Sequence, residues 1–205
     1  IDLSRFSVRS VEQGQGSGDF PHIVATRNLE AIYDNATAIR AFALVKKNCP
    51  NARLTVAGAG PEKPILENLV NELGLRDCVQ FAGRIDNDAI AALYQRADMM
   101  INASLVDNMP ISILEALASG VPVVSTDAGG IPHLVEDGKT ALLVPQKDPV
   151  AMAAAMLRIL HNPDLYAKLR DNGLASLERY TWESVKQQLF AVYQQTLEDQ
   201  QHSQR

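Results

Sequence analysis

The 205 residues, 46% of them hydrophobic and 21% charged, are ordinary for a soluble globular chain and suffice for one large domain or a domain with an appendage. A net charge of −5 with scattered Lys and Arg argues against a nucleic-acid footprint, and 5% aromatics leave little for stacking on single strands. No apolar run approaches the roughly 20 residues that span a bilayer and no signal peptide is visible, so a cytoplasmic protein is expected. The chain starts Ile-Asp-Leu and reads as a fragment.

Residues 1–21 read as a lead-in segment and flexible linker, with the Gly/Ser/Gln stretch EQGQGSGD at 12–19. HIVATR (22–27) is the first β-type run, and 29–47 holds a helix with Ile32, Ala36, Ile39, Ala43 and Leu44 on helical spacing. RLTVAG (53–58) is a strand stopped by Gly58-Ala59-Gly60-Pro61, and a helix over 64–73 is ended by Gly74. CVQFAG (78–83) is a third strand, 87–96 a short helix carrying Ile90, Leu93 and Tyr94, and DMMINAS (98–104) a fourth strand. A helix over 110–118, VPVVSTD (121–127), a short helix at 131–136 and ALLVP (141–145) complete the pattern. Only helices follow, over 149–161, 163–178 and 181–198, with a polar tail expected to fray.

Strands alternate with helices and are near-continuous apolar runs. This predicts an α/β fold, a Rossmann-like doubly wound six-stranded parallel sheet with helices on both faces and a helical C-terminal appendage. Residues 22–178 form the expected main domain, and 179–205 the C-terminal helix and tail. Cys49 and Cys78 lie far apart without metal-ligand spacing and read as reduced thiols, a bridge between them being left open. His22, His133, His161 and His202 show no triad or ligand spacing, which favours structural or solvated roles.

In such a sheet, ligands sit outside the carboxyl ends of the strands, which selects Arg27, 58–60, Gly83-Arg84, 102–110 and 127–130. Gly58-Ala59-Gly60 resembles the start of a dinucleotide fingerprint, but Lys63 stands where the third glycine belongs. Those glycines serve either a tight turn or the close approach of a ligand. Gly129-Gly130 is either a plain turn or an anion nest. Arg27 is either an anion ligand or a surface salt-bridge partner.

The most informative stretch is VDNMPISILEALASGVPVVSTDAGGIP (106–132). Asp107 and Asn108 are cap-type residues and Pro110 suits the first helical position. In the helix after Pro110 only Ser112 and Glu115 are polar, so Glu115 is either paired or rim-exposed, or turned into a ligand cleft. The helix start offers unpaired amides and a positive dipole end for phosphate, and Glu115 lies about 7.5 Å further along the axis. Phosphate at a helix end, with hydroxyls held by Asp107 and Glu115, describes a sugar nucleotide.

Taken in order, these segments resemble the C-terminal, donor-binding domain of family 4 glycosyltransferases, the glycosyl transferases group 1 domain, with the GT-B fold. The likeness runs from IDLSRF through VAGAGPEKPILENLVNELGL, VQFAGRI, ALYQRADMMINAS, the 106–132 stretch and EDGKTALLVP to RYTWESV. It implies that Asp107 and Glu115, with seven residues between them, are the family's acidic pair. Glu115 would bind ribose hydroxyls, and Asp107, standing in for the usual first glutamate as the catalytic-site residue, would hold sugar hydroxyls near the reacting carbon. The backbone over Asn108, Met109, Pro110 and Ile111 would take the distal phosphate and Arg27 the diphosphate. Gly58 and Gly60 would line the nucleotide cleft, and the backbone around Arg84 would contact the base.

Three departures stand out. The first acid is Asp rather than Glu, no Lys follows Arg27 before Arg40, and His133 replaces the acid usual after the Gly-Gly-x-Pro run. The resemblance implies a retaining hexosyltransferase that uses a UDP- or GDP-sugar, a glycan or lipid-linked acceptor, and no cofactor or metal. The acceptor site would belong to an N-terminal domain absent from this chain, leaving the isolated domain to bind donor and catalyse little. In the full-length protein the resemblance allows peripheral attachment at the inner face of the membrane. A GT-B epimerase or glycan phosphorylase, and a degenerate binding or assembly domain, are the alternative readings.

Overall fold

The computed structural model describes residues 2–8 and 20–203, so the expected linker at 12–19 lies outside the described residues. Six strands form one sheet: β1 (His22–Ala25), β2 (Arg53–Ala57), β3 (Val79–Gly83), β4 (Met99–Asn102), β5 (Val123–Thr126) and β6 (Leu142–Val144). Their order is β3-β2-β1-β4-β5-β6 and every neighbouring pair is parallel. The order reverses between β1 and β4, which leaves a crevice at their carboxyl ends.

Helices cover both faces, as the apolar runs require. On one face α1 (Asn35–Lys46), α2 (Lys63–Glu72), α6 (Pro149–Leu160) and α7 (Pro163–Ser176) set Phe42, Leu66 and Met156 against Ile23, Leu54 and Ile101. On the other, α3 (Asn87–Gln95), α4 (Ile111–Ala118) and the short α5 (Ile131–Leu134) set Leu93, Tyr94 and Leu117 against Val24, Met100 and Val123. Successive residues such as Ile23 and Val24 therefore enter different cores, and both must be apolar.

Local signals fix the helix ends. Asp148 accepts the Val150 and Ala151 amides at the start of α6, and Asn162 accepts that of Leu165 at the start of α7. α4 ends in a Schellman motif, with Gly120 at φ +70° and the Val121 amide on the Ala116 carbonyl at 2.9 Å.

The segment 29–47 departs from expectation. It opens with a 3-10 turn, Ala31–Tyr33, and the α-helix starts only at Asn35. Asp34, at φ 39°, accepts hydrogen bonds from the Thr37 amide and hydroxyl at 3.2 and 2.7 Å. That left-handed cap breaks the helical run, so Ile32 leaves the buried stripe and is 45% exposed.

α8 (Trp182–Ser203) runs past the expected end at 198 and into the tail. Arg179 Nη2 and Tyr180 Oη donate to the Leu134 carbonyl at 2.8 and 3.2 Å, so the C-terminal segment is tied to α5 where it begins. Among the described residues no helix is long and apolar enough to cross a membrane. Both cysteines are free thiols, and burial pushes each up.

Candidate functional site

Gly58 and Gly60 let the β2–α2 turn press onto the carboxyl end of β1. A Cβ at Gly58 would stand 2.2 Å from the Arg27 carbonyl oxygen, and one at Gly60 2.3 Å from that of Leu29. Gly58 also sits at φ +155°, a conformation that side chains rarely adopt. We expect Gly58→Ala to cost at least about 1–3 kcal/mol from backbone strain alone. In a melting experiment that is a drop of at least about 2–4 °C for each kcal/mol. An unchanged melting temperature would contradict this packing.

The carboxyl end of β1 feeds a cleft of about 220 Å³ whose walls include Thr26, Arg27, Gly58, Arg84, Ile85, Ile90 and Glu115. One wall is cationic, one is anionic, and Ile85 with Ile90 supplies an apolar side. The fold thus brings Arg27, Gly58 and Arg84, picked out at strand ends, together with Glu115, picked out on the apolar helix. Gly60 stands behind the cleft, against Leu29.

Glu115 projects from α4 and is half-buried. Burial raises its pKa, while the Tyr94 phenol and the charge of Arg5 pull it back down. Tyr94 is fully buried between α3 and α4, its Oη 2.8 Å from Thr26 Oγ1, 3.1 Å from the Ser112 carbonyl and 3.4 Å from Glu115 Oε2. With Thr26 donating to it, the phenol has one proton for the Ser112 carbonyl and Glu115. Burial pushes that phenol upward as well. Periodicity alone gives Tyr94 as a core residue, and nothing in its spacing marks the polar end.

The second acid is held differently. Asp107 Oδ2 lies 2.6 Å from Arg27 Nη2, and the two side chains are only 8% and 18% exposed. Ser104 Oγ stands 2.7 Å from Asn102 Oδ1 and 3.3 Å from Asp107 Oδ2. Asn102 Nδ2 donates to Ser125 Oγ at 3.0 Å, and Thr126 Oγ1 to the Ser104 carbonyl at 2.6 Å, which fastens this loop to the ends of β4 and β5. The Arg27 guanidinium lies 4.2 Å above the Tyr33 ring centroid. Its Nε is buried with no hydrogen-bond partner among the described residues. Neither Tyr33 nor Ser104 carries a sequence signal, because both act through tertiary contact.

Two readings of the 106–132 stretch are corrected. Pro110 is the N-cap and α4 begins at Ile111, one residue later than the proline preference suggests. No side chain caps this helix, since its N-cap residue is a proline, and the Asp107 carboxylate is on Arg27. Met109 and Ile111, each 50% exposed, flank that uncapped start, and Asn108 just before them is exposed too. The anion-nest reading of Gly129-Gly130 also fails in part, since the Gly130 amide donates to the Asp107 carbonyl at 2.8 Å. A Cβ at Gly129 or Gly130 would come within 2.3 or 2.1 Å of the Asp107 or Asn108 carbonyl oxygen. The glycine pair is a clamp on the acid's loop.

His22 lies at the opposite, amino end of β1. Its Nε2 is 2.8 Å from Thr55 Oγ1 and its Nδ1 3.1 Å from the Arg96 carbonyl, and burial lowers its pKa. His133 lines a separate groove, and the His202 side chain lies outside the described residues. Among the described residues no group of three or more His, Cys, Asp or Glu could hold a metal ion.

Residues 15–175 match the family model described as glycosyl transferases group 1. The chain belongs to that family. Over 138 residues it is 35% identical to the D-inositol 3-phosphate glycosyltransferase of Corynebacterium urealyticum, covering 67% of this chain and 32% of that protein. The sucrose-phosphate synthase structure from Thermosynechococcus elongatus matches with a TM-score of 0.83 and 27% identity, over 97% of this chain and 51% of that one. The C-terminal domain of a glycosyl transferase group 1 protein, LpcC of Francisella tularensis, matches at 0.78 and 25% identity, over 89% of this chain and 99% of that one. Anabaena HepE, solved with UDP and glucose, shares the fold with a TM-score of 0.81 at 21% identity, over 95% of this chain and 55% of that one. The fold is that of the C-terminal domain of GT-B glycosyltransferases. The chain spans 32–47% of the length of the first curated relatives it matches.

Proposed function

We propose that this chain is the donor-binding half of a retaining glycosyltransferase, which moves a hexosyl group from a nucleoside diphosphate sugar to a glycan or lipid-linked acceptor. The observation that carries the reading is the gathering of Arg27, Arg84, Gly58 and Glu115 in one cleft at the β1/β4 switch point. Ribose hydroxyls donate to the Glu115 carboxylate, and the diphosphate sits on Arg27 and the uncapped amides of Met109 and Ile111. The base packs between Gly58 and the Arg84–Ile85 backbone, and Asp107 reaches the sugar hydroxyls. That HepE is bound to UDP and glucose supports UDP as the first nucleotide to test.

In the reaction, the bond from the anomeric carbon to the leaving diphosphate breaks and a bond to the acceptor oxygen forms on the same face. The acceptor proton passes to the leaving phosphate. Arg27 and the helix end stabilise the charge that develops on the diphosphate, which is this domain's main contribution. Acceptor binding belongs to a partner domain, so the 205-residue chain binds donor and transfers little by itself.

Thermal-shift titration with UDP, GDP and ADP tests this. A nucleotide present at 100 times its dissociation constant stabilises the folded chain by about 2.7 kcal/mol. One of the three is expected to give that shift. A folded sample that responds to none of them contradicts donor binding.

A further inference from the structure

We infer that Asp107 is the internal counter-anion of Arg27, which the donor's diphosphate must displace, and that this exchange selects diphosphates over ligands of lower charge. The inference rests on the proposed nucleotide-sugar reading and changes the part that Asp107 plays in it. The carboxylate meets Arg27 Nη2 at 2.6 Å with 8% of its side chain exposed, so the cation is already neutralised. Ser104 Oγ is 3.3 Å away, and the Gly130 amide holds the Asp107 carbonyl, so the loop keeps the acid where a phosphate oxygen would otherwise sit.

Arg27 is not saturated in this state. Its Nε remains buried without an acceptor although its Nη2 is paired, an arrangement that leaves room for a better polydentate anion. A diphosphate offers several oxygens and enough charge to replace one carboxylate. A single neutral or weakly charged group does not, because leaving a buried carboxylate unpaired is costly. Displacement also frees Asp107, so the acid reaches the sugar only after the diphosphate has arrived. The order in which the two parts of the donor are engaged is thereby set by one ion pair.

The test is calorimetry on the 205-residue chain and its Asp107→Asn variant with inorganic pyrophosphate, UDP and UMP. A residue that merely contacts ligand would lose affinity. Here the variant should bind pyrophosphate and UDP about tenfold tighter, a gain of about 1.4 kcal/mol. Its preference for UDP over UMP should shrink, because UMP no longer meets a competing carboxylate. Equal or weaker diphosphate binding by a folded variant overturns the exchange and leaves the nucleotide site standing. Absence of binding by either protein overturns the donor-site reading and the exchange with it. If Asp107→Asn does not fold, the structure of the unaltered chain with UDP decides. An Arg27–Asp107 separation beyond 4 Å supports the exchange, and a retained ion pair overturns it.

Discussion

Arg27→Ala should abolish measurable diphosphate binding and also leave the chain markedly less stable. The binding loss follows from removing the cleft-wall arginine whose buried Nε lacks an acceptor among the described residues. The stability loss has a separate cause. Asp107, 8% exposed, would lose its ion-pair partner, and breaking a buried pair from one side costs about 3–5 kcal/mol. At about 2–4 °C per kcal/mol for a chain of this size, the melting temperature should fall by roughly 6–20 °C.

The double variant Arg27→Ala/Asp107→Ala separates the two effects. Once both charges are gone no unpaired carboxylate remains, so much of the lost stability should return while diphosphate binding stays absent. A double variant as unstable as Arg27→Ala would place the cost in the lost packing of Arg27 on Tyr33 rather than in the charge.

Glu115→Gln should move binding and stability in opposite directions. The carboxylate is costly in the unliganded chain, because burial on an otherwise apolar helix opposes its ionisation. Ribose hydroxyls donating to it would repay that cost, and hydrogen bonds to a charged group contribute about 1.5–3 kcal/mol. The amide should therefore bind nucleotide roughly 10–100-fold more weakly, at 1.4 kcal/mol per factor of ten. In the unliganded state it should melt higher than the parent.

The pH dependence fixes the sign. A folded-state pKa raised above the ordinary 4.5 gives a stabilisation fully present below pH 4.5 and lost as pH rises through the folded value. Glutamine does not titrate, so its advantage in melting temperature should open as pH climbs above 4.5 and then level off. An advantage constant across that window would mean that the gain has another source. Unchanged UDP affinity would remove Glu115 from the ribose site.

Tyr94 shows how the wall of the cleft and the core are one structure. Its ring fills the space between α3 and α4, while its hydroxyl touches Thr26 at the end of β1 and Glu115 on α4. The side chain that packs the second core thereby also holds the carboxylate that lines the cleft.

Much of this protein is written locally. Alternating apolar runs and helical periods dictate six strands and their helices, because each residue's burial follows from the period of its own element. The caps Asp148 and Asn162 and the stops Gly74 and Gly120 act within a few residues and are equally legible. So is Glu115, since a lone carboxylate on an apolar helix needs a reason to be there.

What depends on distant partners is not legible. The left-handed Asp34 that delays α1 is stabilised by its own cap but shows no breaker residue. The ion pair between Arg27 and Asp107 joins residues eighty positions apart, and only the β1–β4 adjacency makes them neighbours. In sequence each looks like an available ligand. In the fold each already has the other, because a buried charge takes the nearest opposite charge that the topology supplies.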